Sequence, residues 1–141
     1  MGLFASIKKT AAKEQSPAQG GTLSAGFEVT TWNDFNEGIF SFLKESGVFD
    51  EITSADKRIY FTAQLVPEPD NVHDKHAIKV LAKAKGKKVA YQIGYVPAPK
   101  NVEIGALIPR AATENYYWSG TAYYSFITGC SFTVNLKKSK F

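Results

Sequence analysis

Two prolines in the middle of the chain limit how the segments around them can fold. Pro67 and Pro69 have no amide hydrogen to give to a sheet, so a strand that reaches them must end there. The flanking runs, RIYFTAQLV at 58–66 and HAIKVLAK at 76–83, alternate between apolar and polar side chains. Because a period of two is typical of strands with one buried face, this region is predicted to be strand, polar turn and strand.

Similar alternation recurs along the chain and predicts further strands. FEVTTW at 27–32 is a predicted strand, and KVAYQIGYV at 88–96 is predicted to return antiparallel after a lysine-rich turn. NYYWSGTAYYSF and CSFTVNL are predicted as the last two strands, separated near residues 128–129.

Two helices are predicted between these strands. Asp34 and Glu37 have the spacing of a capping box, and apolar residues then recur on one helical face up to Gly47. A second helical segment is predicted near residues 100–108. The expected fold class is mainly β (α+β): a small antiparallel β-barrel or strongly curved sheet of five to six strands with two short helices.

The N-terminal 25 residues differ in character from the rest. MGLFASIKKTAAK has the pattern of one or two amphipathic helical turns, and EQSPAQGGTLSAG is small, polar and glycine-rich. Residues 1–25 are therefore predicted to be a flexible arm and linker, and residues 26–141 a single domain. MGLFAS also fits an N-myristoylation pattern, but that pattern is short and common by chance, so a loosely attached arm is favoured.

The composition is that of a globular domain with a mildly basic balance. Hydrophobic residues make up 44% and charged residues 21% of the chain. No apolar run approaches the roughly 20 residues of a membrane span, and no signal-peptide pattern is found, so a cytoplasmic protein is expected. The single cysteine, Cys130, is expected to be a small buried residue. The net charge of +4 is compatible with a polyanionic partner.

The polar turn at 67–76 has the composition of an ordinary connection, because Asp and Asn side chains bond nearby backbone amides. A metal site there would use His73 and His76 with Asp70 or Asp74, but no third histidine completes a ligand set. A hydrolase would need a nucleophile with a base, and the usual motifs are missing. Binding is the third interpretation, in which an Asp contacts a hydroxyl or a base amine.

The residues around this turn resemble the core signature of the HIRAN domain. That signature reads approximately L-x-x-E-P-x-N-x-x-D-x-x-A-I-x-V and then V/I-G-Y/H-L/V-P. The matching residues are Leu65, Glu68, Pro69, Asn71, Asp74, Ala77, Ile78 and Val80, then Ile93, Gly94, Tyr95, Val96 and Pro97. The resemblance covers roughly residues 26–137, and its centre is the specific part.

The resemblance implies a small OB-like β-barrel that binds DNA. Family members attached to fork-remodelling helicase-like ATPases bind single-stranded DNA at its free 3′-hydroxyl end. By motif position, Asn71 and Asp74 would contact the terminal nucleotide, with Asp74 accepting a hydrogen bond from the 3′-hydroxyl. His73 would stack on a base and Tyr95 would line the groove.

The same resemblance implies further contacts outside the central turn. The family carries aromatic residues just after the first strand, and Trp32 and Phe35 stand there in this chain. Lys100 lies near the position of a family lysine and could reach the bound DNA.

Cations and aromatic residues are abundant on the remaining predicted strands. The lysines near one hairpin are Lys79, Lys83, Lys85, Lys87 and Lys88. The aromatic residues of the last strands are Tyr116, Tyr117, Trp118, Tyr123, Tyr124 and Phe126. Alternate members must point to opposite faces, so about half are expected in the core. The others are either a stacking platform or ordinary barrel exterior, and the lysines either a binding surface or a solvated edge.

The function expected from these observations is a non-enzymatic module that binds single-stranded DNA at free 3′-hydroxyl ends, in DNA repair or replication. Its partners would be the DNA and a helicase or nuclease acting in trans, with no cofactor and no metal. A protein-interaction or inhibitor module on the same fold is the first alternative. A hydrolytic or metal-dependent enzyme that uses His73, Asp74 and His76 is the second.

Overall fold

Six strands and two α-helices make up the fold. A computed structural model describes residues 23–49, 56–125, 127 and 129–139. The strands are β1 Gly26–Glu28, β2 Lys57–Pro67, β3 Ile78–Ala84, β4 Ala90–Tyr95, β5 Tyr116–Ser125 and β6 Gly129–Lys138. The helices are α1 Asn36–Glu45, preceded by a 3-10 turn at Asn33–Phe35, and α2 Ala98–Thr113. The predicted class, mainly β with two short helices, is confirmed.

The strands form one antiparallel sheet in the order β1-β6-β5-β2-β3-β4. The sheet curls into a half-barrel, so its two edge strands, β1 and β4, approach each other. Directly after β1, Thr30 and Tyr95 exchange two backbone hydrogen bonds, each 2.9 Å long. The preceding residue, Val29, still donates to the Phe132 carbonyl of β6 at 2.9 Å. One short segment therefore joins both edges of the sheet.

Glycine at position 94 permits that closure. A Cβ atom there would overlap the carbonyl oxygen of Thr30 and lie 2.8 Å from Val29 Cγ1. Any other side chain would push the Thr30 segment away from β4, because atoms at these separations repel each other.

The core lies on the concave face of the curled sheet, under α1. Alternate residues of β2, including Phe61, Ala63 and Leu65, point inward, as their alternation predicts. Phe42 of α1 packs against the ring of Phe61, with centroids 5.3 Å apart, and against Phe132 at 6.0 Å. Burying a Phe side chain of this kind contributes roughly 1.5–3 kcal/mol, so Phe42 fixes α1 on the sheet.

Three local predictions differ from the structure. In the predicted strand 27–32, regular pairing with β6 stops at Glu28, because the chain then crosses from β6 to β4. The predicted capping box is wrong, since no side chain caps the start of α1. α2 is longer than predicted because it continues through Pro109, and the Thr113 hydroxyl donates to the Pro109 carbonyl at 3.0 Å.

The aromatic residues of β5 alternate as expected. Trp118 is buried, whereas Tyr117 and Tyr123 are exposed on the other face. Phe126 lies outside the described residues, as do residues 1–22 of the predicted arm. Leu23, also assigned to the arm, is 3% exposed, and its amide donates to the Tyr116 hydroxyl at 2.9 Å.

Candidate ligand-binding cleft

A cleft of about 290 Å³ opens where the two edges of the sheet meet. Its walls are the Thr30–Tyr95 bridge, the loop between β2 and β3, and the first turn of α2. The residues predicted from the sequence that line it are Trp32, Asn71, His73, Asp74 and Tyr95. Residues distant in the chain thus share one concave surface, which is the usual form of a small-ligand site.

The loop between β2 and β3 is held in one conformation by its own polar groups. Its ends are joined by a 2.8 Å hydrogen bond from the Glu68 amide to the Ala77 carbonyl. Asn71 Oδ1 accepts the backbone amides of His73 at 2.9 Å and of Asp74 at 3.1 Å. Asn71 therefore shapes the loop, and both lone pairs of its carbonyl oxygen are used for that purpose.

Asp74 presents an oriented carboxylate to the cleft. Its Oδ1 accepts the backbone amide of His76 at 2.8 Å, and its Oδ2 accepts the side-chain amide of Asn101 at 2.7 Å. The His76 amide, followed by Asn101, holds the pKa of Asp74 below its ordinary value of 3.8, so the group is ionised at neutral pH. Because a carboxylate can accept about four hydrogen bonds, Asp74 keeps capacity for a hydroxyl or amine, whereas it repels a phosphate.

Glu68 fixes the orientation of the Tyr95 ring. The Tyr95 hydroxyl donates to Glu68 Oε1 at 2.7 Å, and Asn71 Nδ2 donates to the same oxygen at 3.2 Å. The Lys79 ammonium lies 3.8 Å from the other oxygen, Oε2. The bond from Tyr95 is the main cause that lowers the pKa of Glu68, and the same contact raises the pKa of Tyr95. At neutral pH the phenol therefore donates to an ionised carboxylate.

Three aromatic rings stand together beside the cleft. The Trp32 ring is parallel to the Tyr95 ring, with centroids 5.7 Å apart and an interplanar angle of 6°. Phe35 meets both rings edge-on, at 4.5 Å from Trp32 and 5.8 Å from Tyr95. The Trp32 indole donates to Asp34 Oδ2 at 3.1 Å, so Asp34 orients the indole instead of capping α1. Trp32 is 45% exposed, which leaves ring surface for a planar ligand.

Two predicted site residues stand outside the cleft wall. Phe35 touches Trp32 and Tyr95 and supports them without lining the cleft. The Lys100 ammonium donates to the Gly26 carbonyl at 3.0 Å, which links α2 to β1. The structure therefore gives Lys100 a contact with the sheet edge and leaves it out of the cleft lining.

Asn101 and Thr30 also line the cleft, but they were not predicted from the sequence as site residues. Asn101 is 4% exposed and faces the protein interior from the first turn of α2. An asparagine on the inward face of an amphipathic helix is a signal for a buried polar partner, because buried amides are almost always hydrogen-bonded. Thr30 takes part through its backbone, and its neighbourhood carries no pattern that predicts a long-range bridge.

His73 and His76 line different clefts. His73 faces the cleft with Asp74, whereas His76 lines a second cleft of about 250 Å³ between the loop and α2. Among the residues that the structure describes, no three His, Cys, Asp or Glu side chains are grouped as metal ligands. Neither helix in this part of the chain is long and apolar enough to cross a bilayer.

Comparisons with protein-family profiles, with curated proteins and with solved structures found no match to this chain.

Proposed function

We propose that the chain is a non-enzymatic DNA-binding module that holds the free 3′-hydroxyl end of a single strand in the cleft. The observation that carries this proposal is the ionised Asp74 carboxylate, fixed by the His76 amide and by Asn101 next to an exposed indole, Trp32. The carboxylate would accept the hydrogen bond of the terminal hydroxyl, and Trp32 or His73 would stack on the last base.

The charge of Asp74 gives the cleft a preference between strand ends. A terminal hydroxyl is neutral and donates a hydrogen bond, whereas a terminal phosphate brings almost two negative charges towards the carboxylate. An internal nucleotide has no free 3′-hydroxyl to offer. The proposed recognition therefore needs no base-specific contact, and it distinguishes the terminal nucleotide of a DNA strand from an internal one.

Binding of this kind would direct another protein to the end. A helicase or nuclease that acts in trans would supply the chemistry during repair or replication, and a cytoplasmic location would suit that role. The mildly basic chain, with a net charge of +4, would favour the encounter with DNA.

The test is a fluorescence-anisotropy titration with two otherwise identical single strands that end in a 3′-hydroxyl or a 3′-phosphate. The wild-type chain should bind the hydroxyl end at least about tenfold more tightly, because the phosphate faces Asp74. Asp74→Asn removes that charge, so the ratio of the two affinities should fall towards one. Equal affinity of the wild-type chain for both ends would reject the proposal.

Asp70→Asn is the matched control. Asp70 lies in the same loop and is exposed, but it lines a neighbouring groove and not the cleft. The substitution makes the same change of charge and should leave the ratio of affinities unchanged. If it changes the ratio as much as Asp74→Asn does, the preference arises from the overall charge of the loop.

A protein-interaction module is the second candidate. The exposed rings of Phe40 and Phe49 lie 5.5 Å apart on the surface of α1 and the residues after it, and Phe49 also meets Tyr124. Apolar surface of this kind is common in protein interfaces. Affinity for oligonucleotides that is absent, or that does not fall with salt, would favour this candidate.

A further inference from the structure

The face of the sheet opposite the core carries a second set of aromatic rings. Tyr60, Tyr117 and Tyr123 are 60%, 42% and 46% exposed and sit at outward positions of β2 and β5. In the strand register, Tyr123 stands directly opposite Arg58, and the Arg58 guanidinium lies 5.0 Å from the centroid of the Tyr123 ring. Three exposed rings on one sheet face give it apolar surface of the kind that is common at contact sites.

Cations alternate with these rings across the strands. Lys83 of β3 pairs with Thr62, the next outward residue of β2 after Tyr60. Lys137 of β6 stands opposite Tyr117. We call this set the outer face, and its members are Arg58, Tyr60, Lys83, Tyr117, Tyr123 and Lys137.

The strands that form the outer face contain no acidic residue. Strands β2 to β6 contain no Asp or Glu, and their cations are Lys57, Arg58, Lys79, Lys83, Lys137 and Lys138. Acidic residues stand beside these strands. Asp56 precedes β2, Glu68 follows it and lies 3.8 Å from Lys79, Glu114 stands two residues before β5, and Glu28 lies on the edge strand β1. The outer face, which spans β3, β2, β5 and β6, is therefore complementary to a polyanion.

We propose that the outer face is a second contact surface for single-stranded DNA, on which unpaired bases stack while phosphates meet the cations. This inference rests on the proposed function for the identity of the polymer, and it adds a binding site away from the strand end. An acidic peptide would use the cations but leave the rings without planar partners. A duplex would offer phosphates but keep its bases stacked on each other.

Two rings of the outer face, Tyr60 and Tyr123, lie far enough from the cleft to be tested separately from it. The cleft adjoins the Pro67 end of β2, and Tyr60 precedes Pro67 by seven residues, which is about 23 Å along the strand. A trinucleotide held in the cleft is too short to reach Tyr60 or Tyr123, which stands opposite Arg58 at the same far end of β2. A strand of about 15 nucleotides is long enough to contact both surfaces.

The experiment compares these two lengths in ring and cation variants of the full chain. Tyr60→Ala and Tyr123→Ala should each weaken binding of the long strand about fivefold or more and leave the trinucleotide unaffected. Tyr60→Phe and Tyr123→Phe should restore the affinity because they keep the ring. Arg58→Ala should reduce the slope of log affinity against log salt by about 0.7, the value for one phosphate contact on a single strand.

Lys44→Ala is the charge control. Lys44 lies in the last turn of α1, the helix that covers the opposite, concave face of the sheet through Phe42. This variant should bind the long strand with the affinity and salt slope of the wild-type chain.

The outcomes separate the outer face from the cleft. Unchanged binding of the long strand in both alanine variants would overturn the outer-face proposal, even if the 3′-hydroxyl preference holds. A loss in those variants that is equal for hydroxyl and phosphate ends supports it, even if the end preference fails. Displacement of bound DNA by poly-glutamate as readily as by a single strand would overturn it in favour of an acidic protein partner.

Discussion

The side-chain amide of Asn101 donates a 2.7 Å hydrogen bond to the carboxylate of Asp74 across 27 residues of chain. Asn101 is buried in the first turn of α2, and Asp74 belongs to the loop between β2 and β3. This contact fastens the loop to the helix and sets the direction of the carboxylate. Stability and the acceptor geometry of the cleft therefore depend on the same bond.

Asn101→Ala should destabilise the fold by about 1–3 kcal/mol, because it removes a buried donor to a charged acceptor. Urea unfolding followed by circular dichroism measures the change. Val102→Ala, at the next and exposed position of the helix, should change the free energy of unfolding by less than about 0.5 kcal/mol. Equal effects of the two substitutions would mean that the bond between α2 and the loop does not contribute to stability.

Acid should weaken the fold through the two carboxylates of the site. Hydrogen bonds from the His76 amide and Asn101 lower the pKa of Asp74, and those from Tyr95 and Asn71 lower the pKa of Glu68. The unfolded chain, with ordinary values of 3.8 and 4.5, then takes up protons at a higher pH than the folded chain. The stabilisation is fully present above about pH 5.5 and is lost as pH falls through the folded pKa values.

Unfolding midpoints measured from pH 7 down to pH 3 check that acid dependence. Asp74→Asn should make the fall in stability shallower than in the wild-type chain. Tyr95→Phe removes the main donor to Glu68 and should have a similar effect. A fall as steep in both variants as in the wild-type chain would assign the acid sensitivity to other groups.

Substitution of two glycines by alanine should have opposite effects. Gly94→Ala should destabilise by about 1–3 kcal/mol or more, because its Cβ overlaps the Thr30 carbonyl at the closure of the sheet. Gly105→Ala should stabilise by about 0.5–1 kcal/mol, because position 105 is inside α2 and the new methyl lies 3.5 Å from Ile78 Cδ1, an ordinary contact. Thermal unfolding of the two variants is the measurement, and a destabilised Gly105→Ala chain would contradict this account of α2.

Tryptophan fluorescence should report on the cleft. The chain has two tryptophans, Trp32 beside the cleft and Trp118 in the core. A base stacked on Trp32 should quench its emission, whereas Trp118 should not respond. Trp32→Phe should therefore abolish quenching by a 3′-hydroxyl trinucleotide, and Trp118→Phe should retain it. Quenching that persists in Trp32→Phe would place the ligand elsewhere.

Cys130 should be almost inert in the folded chain. Desolvation raises the pKa of its thiol to about 11 from an ordinary 9.0, because the side chain packs against the core. At pH 8 the thiolate fraction is then about 100-fold lower than for a free thiol, and reaction with a maleimide should slow in proportion. Cys130 is partly buried, whereas the sequence predicted a buried residue. The rate measured in urea provides the reference, and equal rates in the folded and unfolded chains would contradict this partial burial.

Period-two alternation was sufficient to predict most of the sheet. In β2 it placed Phe61 and Leu65 in the core, because a half-buried strand fixes the face of every second residue. Alternation carries no information on pairing between distant segments, so the Thr30–Tyr95 bridge could not be predicted. The last turn of α2 was not predicted, since a helix that continues through a proline such as Pro109 depends on packing that sequence does not display.

In the candidate site too, local contacts could be predicted from the sequence and long-range contacts could not. The turn residues Asn71 and Asp74 could be named from the local motif, since their bonds to backbone amides are short-range. The bond from Asn101 depends on how the loop and α2 meet in three dimensions. The bond from Lys100 to the Gly26 carbonyl likewise joins α2 to a distant strand, so the local sequence does not predict it.

The two hydrogen bonds that close the sheet between Thr30 and Tyr95 also form a wall of the cleft. Local opening of that bridge and release of a ligand are therefore linked equilibria. Suppose that these two amides exchange only when the bridge is open, and that the ligand binds only when it is closed. The ligand must then slow their hydrogen–deuterium exchange by the factor 1 + [L]/Kd. The exchange rates of the Thr30 and Tyr95 amides, measured by NMR, therefore report how much of the cleft is occupied, without a substitution in the protein or a dye on the ligand.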